Sequence, residues 1–166
     1  MGTITRRAIG ALATVLLGIA VVTAGAVPAQ AVASQNSVPT LTGIRTGVQP
    51  TFDRIVLDFS GGRPLQINSR FVDELIEDPS GNTVWLTGCA FAEVTMQGVA
   101  AHDDAGNSTY LGPQKFRTRN LANVMAVAIT GDFEATLSIG IGMRKQTSVK
   151  VFTLTGPDRV VIDVGR

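Results

Sequence analysis

Histidine, cysteine, tryptophan and tyrosine each occur once in the 166 residues. These scarcities remove whole classes of chemistry. A catalytic zinc centre takes about three protein ligands, usually more than one of them His, and His102 cannot supply that alone. A single cysteine excludes an internal disulfide framework, so the fold must rest on burial. Small neighbours in Gly88-Cys89-Ala90 favour a buried small hydrophobe over an intermolecular disulfide or a reactive thiol. An excess of charge of one sign is missing too: 14 Lys and Arg stand against 13 Asp and Glu. Nucleic-acid binders carry a basic excess or stripe, and this chain has neither. No Gly-x-Ser-x-Gly elbow occurs, and Ile139-Gly140-Ile141-Gly142 is not followed by the rest of a dinucleotide-binding pattern. Its glycines instead predict a bulge or a close approach of backbone to the sheet. The spacing of residues 103–108 does not fit a calcium loop. The chain is therefore read as having no catalytic, cofactor or metal residues.

The N-terminus begins with Arg6 and Arg7, followed by an uncharged apolar stretch over residues 8–26. Val27-Pro28 stops it, and Ala29-Gln30-Ala31 and Ala31-Val32-Ala33 each offer a small-x-small cleavage pattern. Residues 1–33 therefore read as a secretory signal peptide, and no membrane span is expected after its removal. Without the two leader arginines, Lys plus Arg falls from 14 to 12 against the same 13 acids, a net charge of −1. Residues 34–40 are polar and read as a flexible tether, which places the domain at 41–166.

Within that domain, short β-branched and aromatic runs are separated by Gly, Pro, Asn and Asp, which is the strand-and-turn signature. Strands are expected at 41–46, 53–60, 64–70, 83–87, 90–98, 123–130, 134–141, 148–154 and 158–164. Helical periodicity is confined to one possible turn at 71–77. Turns are expected at Pro79-Ser80-Gly81-Asn82, Thr130-Gly131-Asp132 and Gly156-Pro157-Asp158. Many strands without helices indicate an all-β antiparallel sandwich or barrel. Trp85, in the apolar run Val84-Trp85-Leu86, is assigned to the core, the alternative being an exposed ring that stacks on a sugar. Residues 102–120 form the longest irregular stretch, and loops of that length are commonly functional. Its His102, Asp103, Tyr110, Lys115 and Arg117 are the candidate binding surface.

The most informative feature is a repeat, in which Asp53-Arg54-Ile55-Val56-Leu57-Asp58-Phe59 matches Asp158-Arg159-Val160-Val161-Ile162-Asp163-Val164. Alternation sends Ile55, Leu57 and Phe59, and likewise Val160, Ile162 and Val164, to the core. This predicts a sheet structure with internal pseudo-symmetry. Two arrangements are possible. In an antiparallel pair, Arg54 would face Asp163, Val56 would face Val161, and Asp58 would face Arg159, with Cα atoms about 4.5–5.5 Å apart. In the other, which is the expected one, the copies lie in opposite sheets about 10 Å apart.

These repeated strands, with Leu41-Thr42-Gly43-Ile44-Arg45-Thr46-Gly47, Tyr110-Leu111-Gly112-Pro113 and Thr130-Gly131-Asp132-Phe133-Glu134, resemble the AMIN-like domain of small secreted actinobacterial proteins. That domain is related to the AMIN domain of cell-wall amidases and secretins. The resemblance implies a noncatalytic β-sandwich that acts at the bacterial envelope, contacting peptidoglycan or another envelope component. The amidases of that kind rely on a separate zinc domain with His and Glu ligands, for which this chain has neither the length nor the histidines. The expected function is an exported, secreted or wall-associated binding module whose partner is cell-wall glycan or peptide, or an exported protein. The alternative is a secreted carrier of a small apolar ligand.

Overall fold

The computed structural model describes residues 38–166. The expected signal peptide and the first residues of the expected tether lie outside them. Nine strands follow: β1 (Thr40–Val48), β2 (Phe52–Ser60), β3 (Gln66–Val72), β4 (Ala90–Gln97), β5 (Lys115–Arg117), β6 (Val124–Phe133), β7 (Thr136–Met143), β8 (Val149–Leu154) and β9 (Arg159–Gly165). They form two antiparallel sheets, ordered β1-β2-β9-β8 and β3-β4-β7-β6-β5. This is the expected all-β sandwich.

Alternation builds the core. Ile55, Leu57 and Phe59 of β2 and Val160, Ile162 and Val164 of β9 point inward from the first sheet, and Val94, Met96, Leu137, Ile139, Ile141 and Met143 from the second. Full burial of one such side chain is worth about 1.5–3 kcal/mol, so the two periodic patterns hold the sheets together.

The two copies of the repeat are neighbours in one sheet, not partners across the core, which corrects the expected arrangement. Arg54 stands opposite Asp163, Val56 opposite Val161, and Asp58 opposite Arg159. A two-fold axis at the Val56–Val161 pair therefore relates β2 to β9 and the flanking β1 to β8. The sandwich interior needs only that both copies face inward, which one sheet satisfies as well as two.

The symmetry is broken on the outer face. Arg54 grips Asp163 through Nε and Nη2 at 2.7 and 2.8 Å, but the mate pair, Asp58 with Arg159, does not form. Arg45 of β1 takes Asp58 instead, with both hydrogen bonds at 2.7 Å. The position on β8 equivalent to Arg45 is Phe152. It cannot compete for a carboxylate and stacks on Arg54, whose guanidinium lies 5.6 Å from the Phe152 ring centre and 5.1 Å from that of Phe52.

One end of the sandwich is closed by a buried carboxylate. Asp53, with no exposed surface, accepts N–H bonds from Ala122, Asn123 and Val124 at 3.1, 2.6 and 2.9 Å, and Arg166 Nε lies 3.4 Å away. Asn123 carries the network onward: its side-chain amide donates to Lys145 O, Thr147 Oγ1 and Gly165 O. Burial opposes the Asp53 charge, yet the three backbone donors and the Arg166 charge more than offset it and hold the carboxyl below its ordinary value.

Several elements differ from expectation. Residues 83–87 are not a strand, and Phe71–Val72 end β3 where a helical turn was anticipated. Instead, residues 73–89 form a strap with two isolated bridges, Ile76 to Thr83 within it and Asp78 to Gly131 of β6. Pro79-Ser80-Gly81-Asn82 does turn the chain, through Gly81 N–H to Glu77 O, but within this strap. The expected turn at Thr130-Gly131-Asp132 is part of β6, which bulges between Ile129 and Gly131. Gly131 is there for proximity: a Cβ would come within 3.1 Å of Asp78 Cβ, and Asp78 N–H donates to Thr130 O. The β6–β7 hairpin turns at Glu134 and Ala135, with φ of 48° and 53°. Residues 102–120, read as one irregular loop, contain β5, which extends the second sheet by pairing with β6.

Two outcomes follow. Glu134 and Ala135 occupy the left-handed region that two-residue hairpins assign to Asn-Gly, so Glu134→Asn with Ala135→Gly should stabilise the protein by about 1 kcal/mol, read as a rise in Tm. An unchanged or lower Tm would contradict the turn assignment. Asp53→Ala strands three backbone donors and should cost about 3–5 kcal/mol in denaturant unfolding, with Asp53→Asn costing less. Because its folded pKa is depressed, the Asp53 contribution is present above the unfolded carboxyl value of about 3.9 and is lost as pH falls through the lower folded value. Asp53→Asn should therefore lose less stability than the native protein between pH 5 and pH 2.

Candidate functional site

The outer face of the second sheet is paved with small residues. Ala126 and Ala128 of β6 lie opposite Gly142 and Gly140 of β7. All four share the face turned away from the core. Such a floor lets another segment lie directly on the sheet, and the strap 73–89 does so. A Cβ on Gly140 would come within 2.8 Å of Leu75 Cδ1, and one on Gly142 would collide with Thr87 O. Leu75, 2% exposed, fills the shallow space. The expected close approach at Ile139-Gly140-Ile141-Gly142 is thus present.

The strap is pinned along its length by Val84 N–H to Leu75 O, Asp78 N–H to Thr130 O and Cys89 N–H to Met143 O. Lys115 Nζ, reaching from β5, donates to Trp85 O at 3.1 Å. Trp85 itself is 81% exposed, which overturns its assignment to the core. The physical reason is the floor: a surface of Ala and Gly, already covered by Leu75, has no depth to take an indole. Cys89 is likewise exposed and not buried, because the sheet uses its backbone N–H and leaves the thiol outward.

Trp85 stands as a ridge between two depressions of about 180 and 220 Å³. On one side the lining includes Lys115, Phe116 and Arg117. On the other it includes Asp73, Glu74, Thr83 and Phe91. Glu74 Oε1 accepts from Thr83 Oγ1 at 2.6 Å.

The five residues of the candidate surface do not come together in a single pocket among those described. Lys115 and Arg117 are exposed on β5 beside Trp85. Tyr110 is only 6% exposed and belongs to the core, where burial pushes its phenol up. His102 and Asp103 line a separate depression with Val38, Ala100, Asp104, Gly106 and Ala135. There His102 Nδ1 lies 2.7 Å from Asp132 Oδ2, while Asp132 Oδ1 accepts the Ala101 N–H. Asp103 serves its own loop, accepting from Asn107 Nδ2 and the N–H groups of Ala105 and Asn107. The Asn107 side-chain amide, followed by these backbone donors, holds the Asp103 carboxyl below its ordinary value.

His102 and Asp132 could orient a proton acceptor, but the lining of that depression contains no Ser, Thr or Cys to act as a nucleophile. Among the described residues no three His, Cys, Asp or Glu side chains are grouped to hold a metal ion. No helix among them is long and apolar enough to cross a membrane. The arrangement that the geometry favours is thus a rigid, exposed aromatic flanked by charged groups.

No curated protein and no solved structure matches the chain. The family model for the AMIN-like domain does, over residues 39–166, which spans every strand of both sheets, and the chain belongs to the AMIN-like domain family.

Proposed function

We propose that this domain is a noncatalytic binding module of the bacterial cell envelope, exported by its N-terminal segment, and that it contacts peptidoglycan through the Trp85 ridge. The observation that carries the reading is the exposed indole itself. A ring of that size is normally covered, and here it is held out from a pinned strap beside Lys115 and Arg117. Aromatic and Arg side chains on a rigid scaffold are the usual anchors of a binding surface. Family membership supports the envelope setting, because the related AMIN domains serve wall amidases and secretins. It also supports a secreted or wall-associated location.

The space between the sheets is filled by large buried side chains such as Leu41, Leu57, Met96, Leu137 and Met143. A carrier role for an apolar ligand therefore receives no support from the core.

Co-sedimentation with purified cell-wall sacculi tests the reading. The native protein should enter the pellet, and Trp85→Ala should weaken that binding about tenfold or more, as loss of an aromatic anchor does. His102→Ala should leave it unchanged. Retention of the native protein wholly in the supernatant, with and without salt, would sink the wall reading.

A further inference from the structure

The two sides of the Trp85 ridge carry opposite charge. Trp85 and Leu86 line both depressions, whereas Lys115 and Arg117 belong to one side and Asp73 and Glu74 to the other. One member of each charged pair is tied to the strap that carries the ring. Lys115 grips the Trp85 carbonyl, and Glu74 is tied to Thr83 two residues before Trp85. These couplings hold Lys115 and Glu74 beside the indole before any ligand arrives, which lowers the ordering cost of binding.

We propose that the ridge binds a zwitterionic saccharide, one that carries a carboxylate and an ammonium on either side of a pyranose ring. The ring stacks on the Trp85 indole, the carboxylate turns to Lys115 and Arg117, and the ammonium turns to Asp73 and Glu74. Charge complementarity selects this ligand over its relatives. A saccharide with only one of the two charges leaves half the surface unmatched, and a purely anionic one meets the two acids. The shallow depressions suit a flat ring laid on an aromatic, with the polar groups at its margins. Vicinal hydroxyls give the same carboxylates and guanidinium further hydrogen-bond partners. The proposal rests on the Trp85 ridge being the binding surface. It names the chemistry read there, independently of whether intact wall is the source.

Trp85 is the sole tryptophan of the chain, so intrinsic fluorescence reports this site alone. Five probes separate the contributions: a glucosamine–glucuronate hexasaccharide with free amines, its N-acetylated form, a chitosan hexamer, a chitin hexamer, and the dipeptide lysyl-glutamate. The first should quench or shift Trp85 emission with an affinity about tenfold or more above each of the others, and this advantage should shrink with added salt. The exposed double variant Lys115→Glu with Arg117→Glu should move the preference to chitosan, and Asp73→Lys with Glu74→Lys to the N-acetylated anionic form. Equal affinity for the four saccharides, or tightest binding of neutral chitin, overturns the charge reading. Equal affinity for the dipeptide overturns the saccharide. Sedimentation with sacculi but no response to any probe overturns this proposal and leaves the wall reading standing. Binding of the zwitterionic hexasaccharide without sedimentation supports this proposal and removes the wall reading.

Discussion

The Asp53 carboxylate is the constraint around which one end of the sandwich is organised. A buried charge is tolerated only if its hydrogen-bonding capacity is met, and here the donors come from the segment entering β6. That requirement ties β2 of one sheet to β6 of the other at a fixed distance. Asn123 sits between those donors and passes the order to the β7–β8 connection and to the end of β9. Hydrophobic burial between the sheets is non-directional and would allow them to slide. The carboxylate and its fixed donors set one relative placement, which aligns the rest of the core.

Much of this architecture was legible in the sequence because the two repeat strands, β2 and β9, alternate with period two. The register of the repeat could be written down as one of two options, since antiparallel pairing fixes which residues face each other. Choosing between them needed information that alternation lacks: an inward face looks the same whether its mate is beside it or across from it. The role of Asp53 was hidden for a related reason. In the sequence it matches Asp158, yet Asp158 lies at the surface 3.5 Å from Arg63, and only the three-dimensional end of the sandwich distinguishes them.

The site was half legible. Lys115 and Arg117 were marked because they lie in a long connection, but the connection proved to contain an edge strand, too short to register as a periodic run. Trp85 was misplaced because an apolar triplet in a β-rich chain ordinarily means a buried strand. A corrective signal was present in the outward positions of β6 and β7, where Ala126, Ala128, Gly140 and Gly142 share one face. Small residues at consecutive outward positions mean that something lies close above them. That something must then use its own outer side for whatever is large, and here the large group is the indole.

The pairing of β2 with β9 also governs how the domain comes into being. Arg54 and Asp163 are 109 residues apart, and no local hairpin can stand in for that contact. A chain emerging N-terminus first, from a ribosome or from a pore, presents Ile55, Leu57 and Phe59 long before the strand that completes their sheet exists. Folds dominated by such distant pairings form in milliseconds to seconds rather than microseconds, with an open strand edge in the meantime. The first sheet can close only after β9 has arrived, so until then β2 keeps one edge open.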